Sequence, residues 1–216
     1  NRDVANLTAF DFMQRLKSHI GLDRLILGYD SALGKDREGN IPRLAEIGSE
    51  LGYTVETVSA VSDESGVISS TAIRKLVTVG KVEEAAKLMG RPYRLQGTVI
   101  RGDQRGRTIG FPTANLDYSV DKLIPFGGIY ASWAYLGNEK YKAAVNIGTN
   151  PTFTPDKITM SVEAYLLDFD RDIYDETLQL EFVSRLRDEL KFDSVDALIE
   201  QIKNDVKQTR RTLGLE

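Results

Sequence analysis

The sequence predicts an α/β domain followed by a small β-barrel and a C-terminal helix. Helical and strand-like patterns alternate before residue 90, which indicates an α/β sheet. After Arg91 the chain becomes rich in β-branched and aromatic residues, in short runs separated by Gly, Pro, Asn or Asp. Runs of this kind predict strands, and from about Asp193 the apolar residues return to helical spacing. We therefore expect two domains, residues 1–90 and residues 91–216.

The first domain is predicted from four helical and two strand-like patterns. Apolar residues at helical spacing over residues 7–20 predict a helix that begins around Ala9, with Thr8 as a candidate N-cap. The run RLILGYD predicts a buried strand that ends at Gly28, and YTVETVSAV predicts another strand. Further helices are predicted around residues 42–51 and over the runs SSTAIRKLVTVG and KVEEAAKLMG.

The second domain is predicted from five strand-like runs. They are YRLQGTVI, GIYASWAYL, KYKAAVNIG, SVEAYLLDF and LQLEFVSRL. A closed barrel leaves no exposed strand edge, so several short strands at this spacing favour a barrel over an open sheet. The final helical pattern carries its apolar residues on one face, which we expect to close over the barrel. These residues are Val195, Leu198, Ile199, Ile202 and Val206.

The composition argues against several classes of function. With 41% hydrophobic and 28% charged residues, the chain is ordinary for a globular protein. A net charge of −4 and a pI of about 5.3 argue against nucleic-acid binding, which usually needs a basic excess. The absence of cysteine excludes disulfides, thiolate metal sites and cysteine nucleophiles. No apolar run approaches the roughly 18 residues that span a bilayer, and no signal-peptide pattern is present.

We therefore expect a cytoplasmic protein that acts on small molecules and has no nucleic-acid or membrane partner. The sequence leaves the oligomeric state open. The first residue, Asn1, stands where an initiator Met would, which suggests a processed or truncated chain.

The stretch GTVIRGDQRGRTIGFPTANL carries the residues best suited to binding an anion. Its glycines allow tight turns and a close approach of backbone N–H groups, and its arginines add positive charge. Thr113 offers a hydroxyl for Mg²⁺ or a phosphate oxygen, and Asn115 offers an amide oxygen and an NH₂ donor. The stretch matches neither common glycine-rich phosphate motif. Two interpretations stay open, a tight turn that enters a β-structure or a phosphate site. The glycines and arginines are Gly97, Gly102, Gly106, Gly110, Arg101, Arg105 and Arg107.

The run GRTIGFPTAN resembles the signature of riboflavin kinases, in which a Pro-Thr-Ala-Asn motif binds the phosphates and the metal of ATP. Four further segments resemble the same family in the same order. They are IPFGGIYA, AAVNIGTNPTF, SVEAYLLDFDRDIY and EFVSRLRDELKFDSVDALIEQIKND. The resemblance covers residues 91–216 and implies a small Greek-key β-barrel with a C-terminal helix. It also implies ATP as co-substrate, Mg²⁺ as cofactor, riboflavin as substrate and FMN as product.

The resemblance also implies roles for individual residues. From the residues alone, Glu163 is a solvated glutamate on the strand face opposite Val162 and Ala164. By resemblance it is the general base that takes the proton from the ribityl 5′-hydroxyl of the flavin. Arg187 in LRDELKF resembles an arginine of a flap that closes over the substrates, although alone it would be read as a surface charge. The residues implied in binding ATP phosphates are Gly102, Arg105, Gly106, Arg107, Gly110, Thr113 and Asn115, the last two also binding the metal.

Two segments of the first domain, GYDSALGKDREG and ISSTAIRKLV, resemble the second half of an FMN adenylyltransferase domain. This domain is a nucleotidyltransferase of the α/β (Rossmann-like) type that bacteria usually fuse to the kinase barrel. The resemblance implies a triphosphate site at a helix N-terminus, where free N–H groups favour anions. From the residues alone, the same group is an N-cap followed by a surface arginine. The residues of the implied site are Ser69, Ser70, Thr71 and Arg74.

Two departures limit the resemblance of the first domain. The family's His-x-Gly-His element is absent from this sequence, and we expect the single histidine, His19, to be structural. Ser31 and Leu33 stand where the family usually has aromatic residues near the adenine. We therefore expect a chain that lacks the first part of the adenylyltransferase domain and forms little or no FAD.

The leading hypothesis is an ATP- and Mg²⁺-dependent riboflavin kinase barrel joined to an incomplete FMN adenylyltransferase domain. The complete protein would convert riboflavin to FMN and then to FAD. A non-catalytic flavin- or nucleotide-binding module is one alternative, and the presence of Thr113, Asn115 and Glu163 speaks against it. A nucleic-acid-binding barrel is another, suggested only by the arginines around residues 101–107, and the acidic balance of the chain speaks against it.

Overall fold

The computed structural model describes residues 2–64, 66–150 and 159–214. The chain forms two compact units, Asn1–Ile68 and Ser69–Glu216. This division falls before the change of sequence pattern near residue 90, because helical residues between the two positions contact strands of the second unit. The domain limits 1–90 and 91–216 stay a prediction. Residues 151–153, at the end of AAVNIGTNPTF, lie outside the described residues.

The first unit is an α/β unit that contains a parallel two-stranded sheet. Its elements are α1 (Arg2–Ala5), α2 (Ala9–Ile20), β1 (Arg24–Gly28), a 3₁₀ helix (Lys35–Arg37), α3 (Ile41–Leu51), β2 (Thr54–Val58), β3 (Ser62–Asp63) and β4 (Gly66–Val67). Strands β1 and β2 pair in parallel, and β3 and β4 pair antiparallel. The alternation of helix and strand confirms the α/β prediction for this part of the chain.

Local sequence explains where the helices of the first unit begin and end. Thr8 caps α2 as predicted, because its hydroxyl accepts a hydrogen bond from the backbone N–H of Asp11 at 3.1 Å. Asn40 caps α3 in the same way through Arg43 N.

The apolar faces of α2 and α3 meet in a small core. Its buried members are Ala9, Met13, Leu44, Ile47 and Tyr53.

The second unit begins with two helices and continues as a β-barrel. Its elements are α4 (Ser70–Thr78), α5 (Val82–Met89), β5 (Tyr93–Ile100), α6 (Arg105–Thr108), β6 (Ala114–Asp117), β7 (Gly128–Leu136), β8 (Glu139–Asn150), β9 (Thr159–Leu166), β10 (Thr177–Arg187) and α7 (Val195–Thr212). All five predicted strands are present. The sixth strand, β6, lies inside the glycine-rich stretch and was not predicted as a separate strand.

The barrel is closed, with the strand order β10-β5-β6-β9-β8-β7. Strands β7, β8 and β9 follow one another antiparallel, and β10 returns to pair with β7. This order, in which the fourth strand lies beside the first of three consecutive strands, is a Greek key. The structure therefore confirms the predicted Greek-key barrel.

Helix α7 packs on the outside of β7, β8 and β10, as its apolar face predicts. Ser194 caps its first turn by accepting a hydrogen bond from Ala197 N at 3.2 Å. Inside the barrel, alternate residues of each strand form one continuous core, which includes Tyr130, Leu180 and Phe182. Within the described ranges, no helix combines the length and apolar character needed to cross a membrane.

Candidate functional site

The candidate site lies where strands β6 and β9 pair on the outer face of the barrel. Asn115 of β6 stands directly opposite Glu163 of β9. Thr113, immediately before β6, donates a hydrogen bond from its hydroxyl to Glu163 Oε2 at 3.2 Å. The flanking residues Val162 and Ala164 are buried in the barrel core, so Glu163 points outward, as the alternation predicts. The structure thus brings Glu163 together with Thr113 and Asn115, two predicted site residues that lie about fifty positions earlier in the sequence.

The loop that precedes β6 packs closely against this group. A Cβ atom added to Gly102 would lie 2.5 Å from Asn115 Cγ and 2.7 Å from Asn115 Oδ1. Only a glycine therefore lets the loop backbone approach the Asn115 amide this closely. Phe111 N donates to Gly106 O at 2.8 Å, which folds the loop back toward Thr113. Gly110 has a positive φ of 87°, a conformation that favours glycine.

The two predicted phosphate-binding arginines in this loop differ in their surroundings. Arg105 is largely exposed and pairs with Asp103 at 3.1 Å. Arg107 is also exposed but lines a cavity together with Thr113. Both lie on the short helix α6, so their guanidinium groups surround the loop without entering the barrel core. Arg107 is thus the better placed of the two for a ligand beside Thr113.

This first cavity has a volume of about 280 Å³. It lies between the glycine-rich loop, strand β9 and the connection from β9 to β10. The residues of that connection were not singled out from the sequence, although the run DFDRDIY is unusually dense in charge for a short loop. The lining residues are Val99, Gln104, Arg107, Pro112, Thr113, Ala114, Ala164, Leu166, Phe169, Asp170, Arg171, Asp172, Ile173 and Tyr174.

A second cavity of about 460 Å³ lies beside the other end of strand β9. Its wall is mainly apolar, with an exposed aromatic ring at Phe126 and two carboxylates on its rim. Because Met160 lines this cavity while Ala164 lines the first, Glu163 lies between the two cavities along the strand. The residues lining the second cavity are Thr78, Ile124, Pro125, Phe126, Gly127, Thr149, Met160, Asp188 and Glu189.

Arg187, the predicted flap residue, lies at the end of β10 and binds helix α7. Its Nε and Nη2 donate to the two carboxylate oxygens of the buried Asp205, at 2.8 and 2.6 Å. Gln201 donates to the same carboxylate at 2.9 Å. Arg187 lines neither of the two cavities, and its predicted contact with substrates stays a prediction.

The residues of the predicted triphosphate site lie at the start of α4. Ser69 is the N-cap of this helix, and its hydroxyl accepts a hydrogen bond from Ala72 N at 3.1 Å. Ser70, Thr71 and Arg74 are exposed. The arrangement fits both the N-cap interpretation and a triphosphate site, so the latter stays a prediction.

His19 lies near the C-terminal end of α2. Its Nδ1 is 2.9 Å from Arg15 O and 3.0 Å from Ser18 Oγ. These are contacts within one helix, as expected for a structural histidine. In the described part of the chain, no cluster of three or more His, Cys, Asp or Glu side chains could hold a metal ion.

Comparisons with known proteins identify relatives for both parts of the chain. The riboflavin kinase family model matches residues 89–213, and the FAD synthetase family model matches residues 1–72. A bifunctional riboflavin kinase/FMN adenylyltransferase from Listeria monocytogenes is 42% identical over 189 residues, which are 88% of this chain and 60% of that protein. The enzyme of the same name from Bacillus subtilis is 34% identical over 213 residues, 98% of this chain and 67% of that protein.

A solved structure also resembles the whole chain. It is a crystal structure described as a macrolide-efflux protein from Streptococcus pneumoniae, with a TM-score of 0.83 and 38% identity over 96% of this chain and 66% of that one. The chain therefore spans roughly two thirds of the length of the proteins it matches.

Proposed function

Since the chain belongs to the riboflavin kinase family, we propose that its barrel transfers the terminal phosphoryl group of ATP to riboflavin and forms FMN. The observation that carries the proposal is the position of Glu163. Its carboxylate accepts a hydrogen bond from Thr113, stands opposite Asn115 and lies between two cavities on one strand. Phosphoryl transfer needs two substrates held end to end, with an oriented hydroxyl at their junction.

The first cavity is the proposed site of the nucleotide. Its wall carries Arg107 and Thr113, and their guanidinium and hydroxyl groups can donate hydrogen bonds to phosphate oxygens. Phe169 and Tyr174 contribute aromatic surface to the same wall, and an adenine ring can stack on such surface.

The second cavity is the proposed site of the flavin. Its wall combines apolar side chains with the 55% exposed ring of Phe126, and a flat aromatic ring system buries apolar surface well against such a wall. The two rim carboxylates, Asp188 and Glu189, can accept hydrogen bonds from polar groups of a neutral ligand. A riboflavin ring bound here would direct its ribityl chain along β9 toward Glu163.

Glu163 is the proposed general base. A carboxylate that already accepts a hydrogen bond from one hydroxyl, that of Thr113, has the geometry to accept one from the ribityl hydroxyl. Transfer then consists of attack by the ribityl oxygen on the terminal phosphorus, cleavage of the bond to the leaving ADP oxygen, and movement of the hydroxyl proton to Glu163. Because most of the catalysis is positioning, the packing of the loop against Asn115 matters as much as the base.

The residues at the site fit a bound Mg²⁺ ion. Thr113, Asn115 and Glu163 present a hydroxyl, an amide and a carboxylate oxygen close together, and hard cations prefer oxygen donors of these kinds. Mg²⁺ usually takes few protein ligands and completes its coordination with water and substrate phosphates, so a site with the single carboxylate of Glu163 agrees with this assignment. When bound, the ion would neutralise phosphate charge.

The proposal is tested by incubating the chain with riboflavin, ATP and Mg²⁺ and separating riboflavin, FMN and FAD. We expect FMN without FAD, and chelation of the metal should stop turnover until Mg²⁺ is restored. Glu163→Gln should lower kcat by about 10²–10⁴-fold. The variant should still bind riboflavin, as measured by the quenching of the flavin fluorescence. Glu200→Gln, an exposed glutamate on α7, is the matched control and should be unaffected.

Three results would count against these expectations in different ways. Wild-type protein that binds riboflavin but makes no FMN would favour the non-catalytic binding module. Unchanged turnover in Glu163→Gln would remove this residue from the mechanism. Formation of FAD from FMN and ATP would overturn the expectation that this chain has little adenylyltransferase activity.

A further inference from the structure

Helix α4, the first of the two helices that precede the barrel strands, helps to form the second cavity. Thr78, at the end of α4, lines this cavity. Its neighbour Val77 accepts a hydrogen bond through its backbone oxygen from Phe126 N at 3.4 Å. Phe126 and Gly127 also line the cavity. One of its walls is therefore a barrel loop whose backbone is hydrogen-bonded to α4.

Arg185 of β10 contacts this same wall, formed by Phe126 and Gly127, on the side away from the cavity. Its Nη2 donates to Gly127 O, and the same nitrogen donates to Asp188 Oδ1 at 2.6 Å. The guanidinium carbon lies 5.3 Å from the centre of the Phe126 ring, within cation–π distance. All three partners line the second cavity, whereas Arg185 does not. Its side chain is only 21% exposed, so its position is fixed by these contacts.

Helix α5 in turn holds Arg185 in place. Glu83 Oε1 accepts hydrogen bonds from Ser184 Oγ and from the backbone N–H of Arg185, the latter at 3.0 Å. The pairing of β10 with β7 shifts register on both sides of these two residues. Such bulges leave backbone groups without a partner in the strand ladder. Here the Glu83 carboxylate is the hydrogen-bond partner of the Arg185 backbone N–H.

The turn between α4 and α5 packs against the stem of the same arginine. Gly80 in this turn has a positive φ of 79°, and a Cβ atom added to it would lie 2.8 Å from Arg185 Cδ. Gly80 and Glu83 therefore enclose the arginine on the side away from the cavity. The Arg185 side chain is thus held by contacts with Gly80 on one side and with Phe126 and Gly127 on the other.

We propose that Arg185 is a positioning residue of the kinase acceptor site, and that Glu83 of α5 acts through it. The proposal rests on the proposed function, in which the second cavity binds riboflavin. Arg185 orients the Phe126–Gly127 wall without touching the substrate. Lysine should replace it poorly, because a compact ammonium group has no planar surface to stack on the Phe126 ring while it donates to Gly127 O and Asp188. Helices α4 and α5 thus belong to the riboflavin site of the barrel.

The test compares Arg185→Lys with wild type in steady-state kinetics and in riboflavin binding by fluorescence quenching. We expect the KM and the Kd for riboflavin to rise about tenfold, the usual effect of losing a hydrogen bond to a charged group. The kcat and the KM for ATP should stay within about twofold, because the first cavity is not involved. A merely structural defect would instead lower the active fraction and so reduce kcat.

Three further variants separate positioning from folding. Arg94→Lys is the matched control, because Arg94 also pairs with a carboxylate on the barrel, that of Glu181, but lines neither cavity. It should leave the KM for riboflavin unchanged. Glu83→Gln keeps an oxygen that can accept from Arg185 N and should behave nearly like wild type, whereas Glu83→Ala should raise the KM for riboflavin.

The outcomes distinguish this inference from the proposed function. If wild type makes FMN and a folded Arg185→Lys variant keeps its KM and Kd for riboflavin, the inference is wrong and the kinase assignment stands. If wild type makes no FMN but Arg185→Lys still weakens riboflavin binding, the kinase assignment fails and the role of Arg185 stands. If Arg185→Lys does not fold, the comparison of Glu83→Gln with Glu83→Ala decides, and equal KM values for these two would overturn the inference.

Discussion

Replacing Gly102 by alanine should impair catalysis without unfolding the protein. The added Cβ would lie 2.5 Å from Asn115 Cγ, whereas carbon atoms in contact normally stay at least about 3.5 Å apart. Gly102 has an ordinary backbone φ, so the substitution creates no backbone strain of its own. The clash is with a side chain, and the Asn115 amide must move by about 1 Å to relieve it.

The size of the effect follows from this displacement. A misplacement of about 1 Å within a reacting group costs on the order of 10²-fold in rate, which corresponds to about 2.7 kcal/mol. The cost in stability should be smaller, about 1 kcal/mol, the usual strain of one off-rotamer side chain. We therefore expect kcat/KM to fall about 100-fold while the thermal midpoint moves by only a few degrees.

A double-mutant cycle identifies the cause. FMN formation would be measured for Gly102→Ala, Asn115→Ala and the double variant. If the alanine at 102 acts through the Asn115 amide, the double variant should be no slower than Asn115→Ala alone. Gly28→Ala, in which the added Cβ meets only Ser31 and Asp30 side-chain atoms at 3.3 Å or more, is the control. Additive losses in the cycle, or a change of less than threefold in Gly102→Ala, would refute the reasoning.

Two further predictions concern the attachment of helix α7. Asp205→Ala should lower the free energy of unfolding by about 3 kcal/mol, because it leaves the largely buried Arg187 without its carboxylate; an unchanged denaturant midpoint would contradict this. Arg210 donates to Asp168 and lowers the pKa of that carboxyl. A lowered folded pKa stabilises the protein above the unfolded pKa, so Asp168→Asn should be slightly less stable than wild type at pH 7, by under about 1 kcal/mol because the pair is exposed. The difference should shrink as the pH falls below the ordinary aspartate pKa of about 4 and vanish once the pH is below the lowered folded pKa, and a difference that grows in acid would contradict it.

Much of the barrel could be predicted because its strands are rich in β-branched and aromatic residues and are separated by turn residues. The run YRLQGTVI coincides with β5, and GIYASWAYL coincides with β7. Strand β6 could not be predicted in this way, since it has only four residues, Ala114–Asp117, and a single buried apolar side chain at Leu116. It is a strand because β5 and β9 pair with it on either side, and such pairing is not visible in local sequence.

The same limit applies to the site. Alternation in SVEAYLL predicts that Glu163 faces outward but not which strand lies beside it. That Asn115 stands opposite it follows only from the order in which the barrel closes. The resemblance to riboflavin kinases supplied this long-range information. The second cavity was missed because its wall combines a loop, a helix end and two strand ends, none of which carries a pattern of its own.

The two arginines of β10 show where period-two reasoning fails. Arg185 and Arg187 are two residues apart, so a regular strand would place both side chains on one face. In the structure the register with β7 shifts between them. Arg185 pairs with Tyr130, and Arg187 pairs with the adjacent residue Ile129. The extra residue bends the strand and re-aims the side chains: Arg185 contacts the loop at the second cavity, and Arg187 binds α7. The Glu83 carboxylate binds Ser184 and the Arg185 backbone at this bulge, a long-range contact that local sequence does not show. The resemblance therefore singled out Arg187 but not Arg185, which contacts the wall of the second cavity.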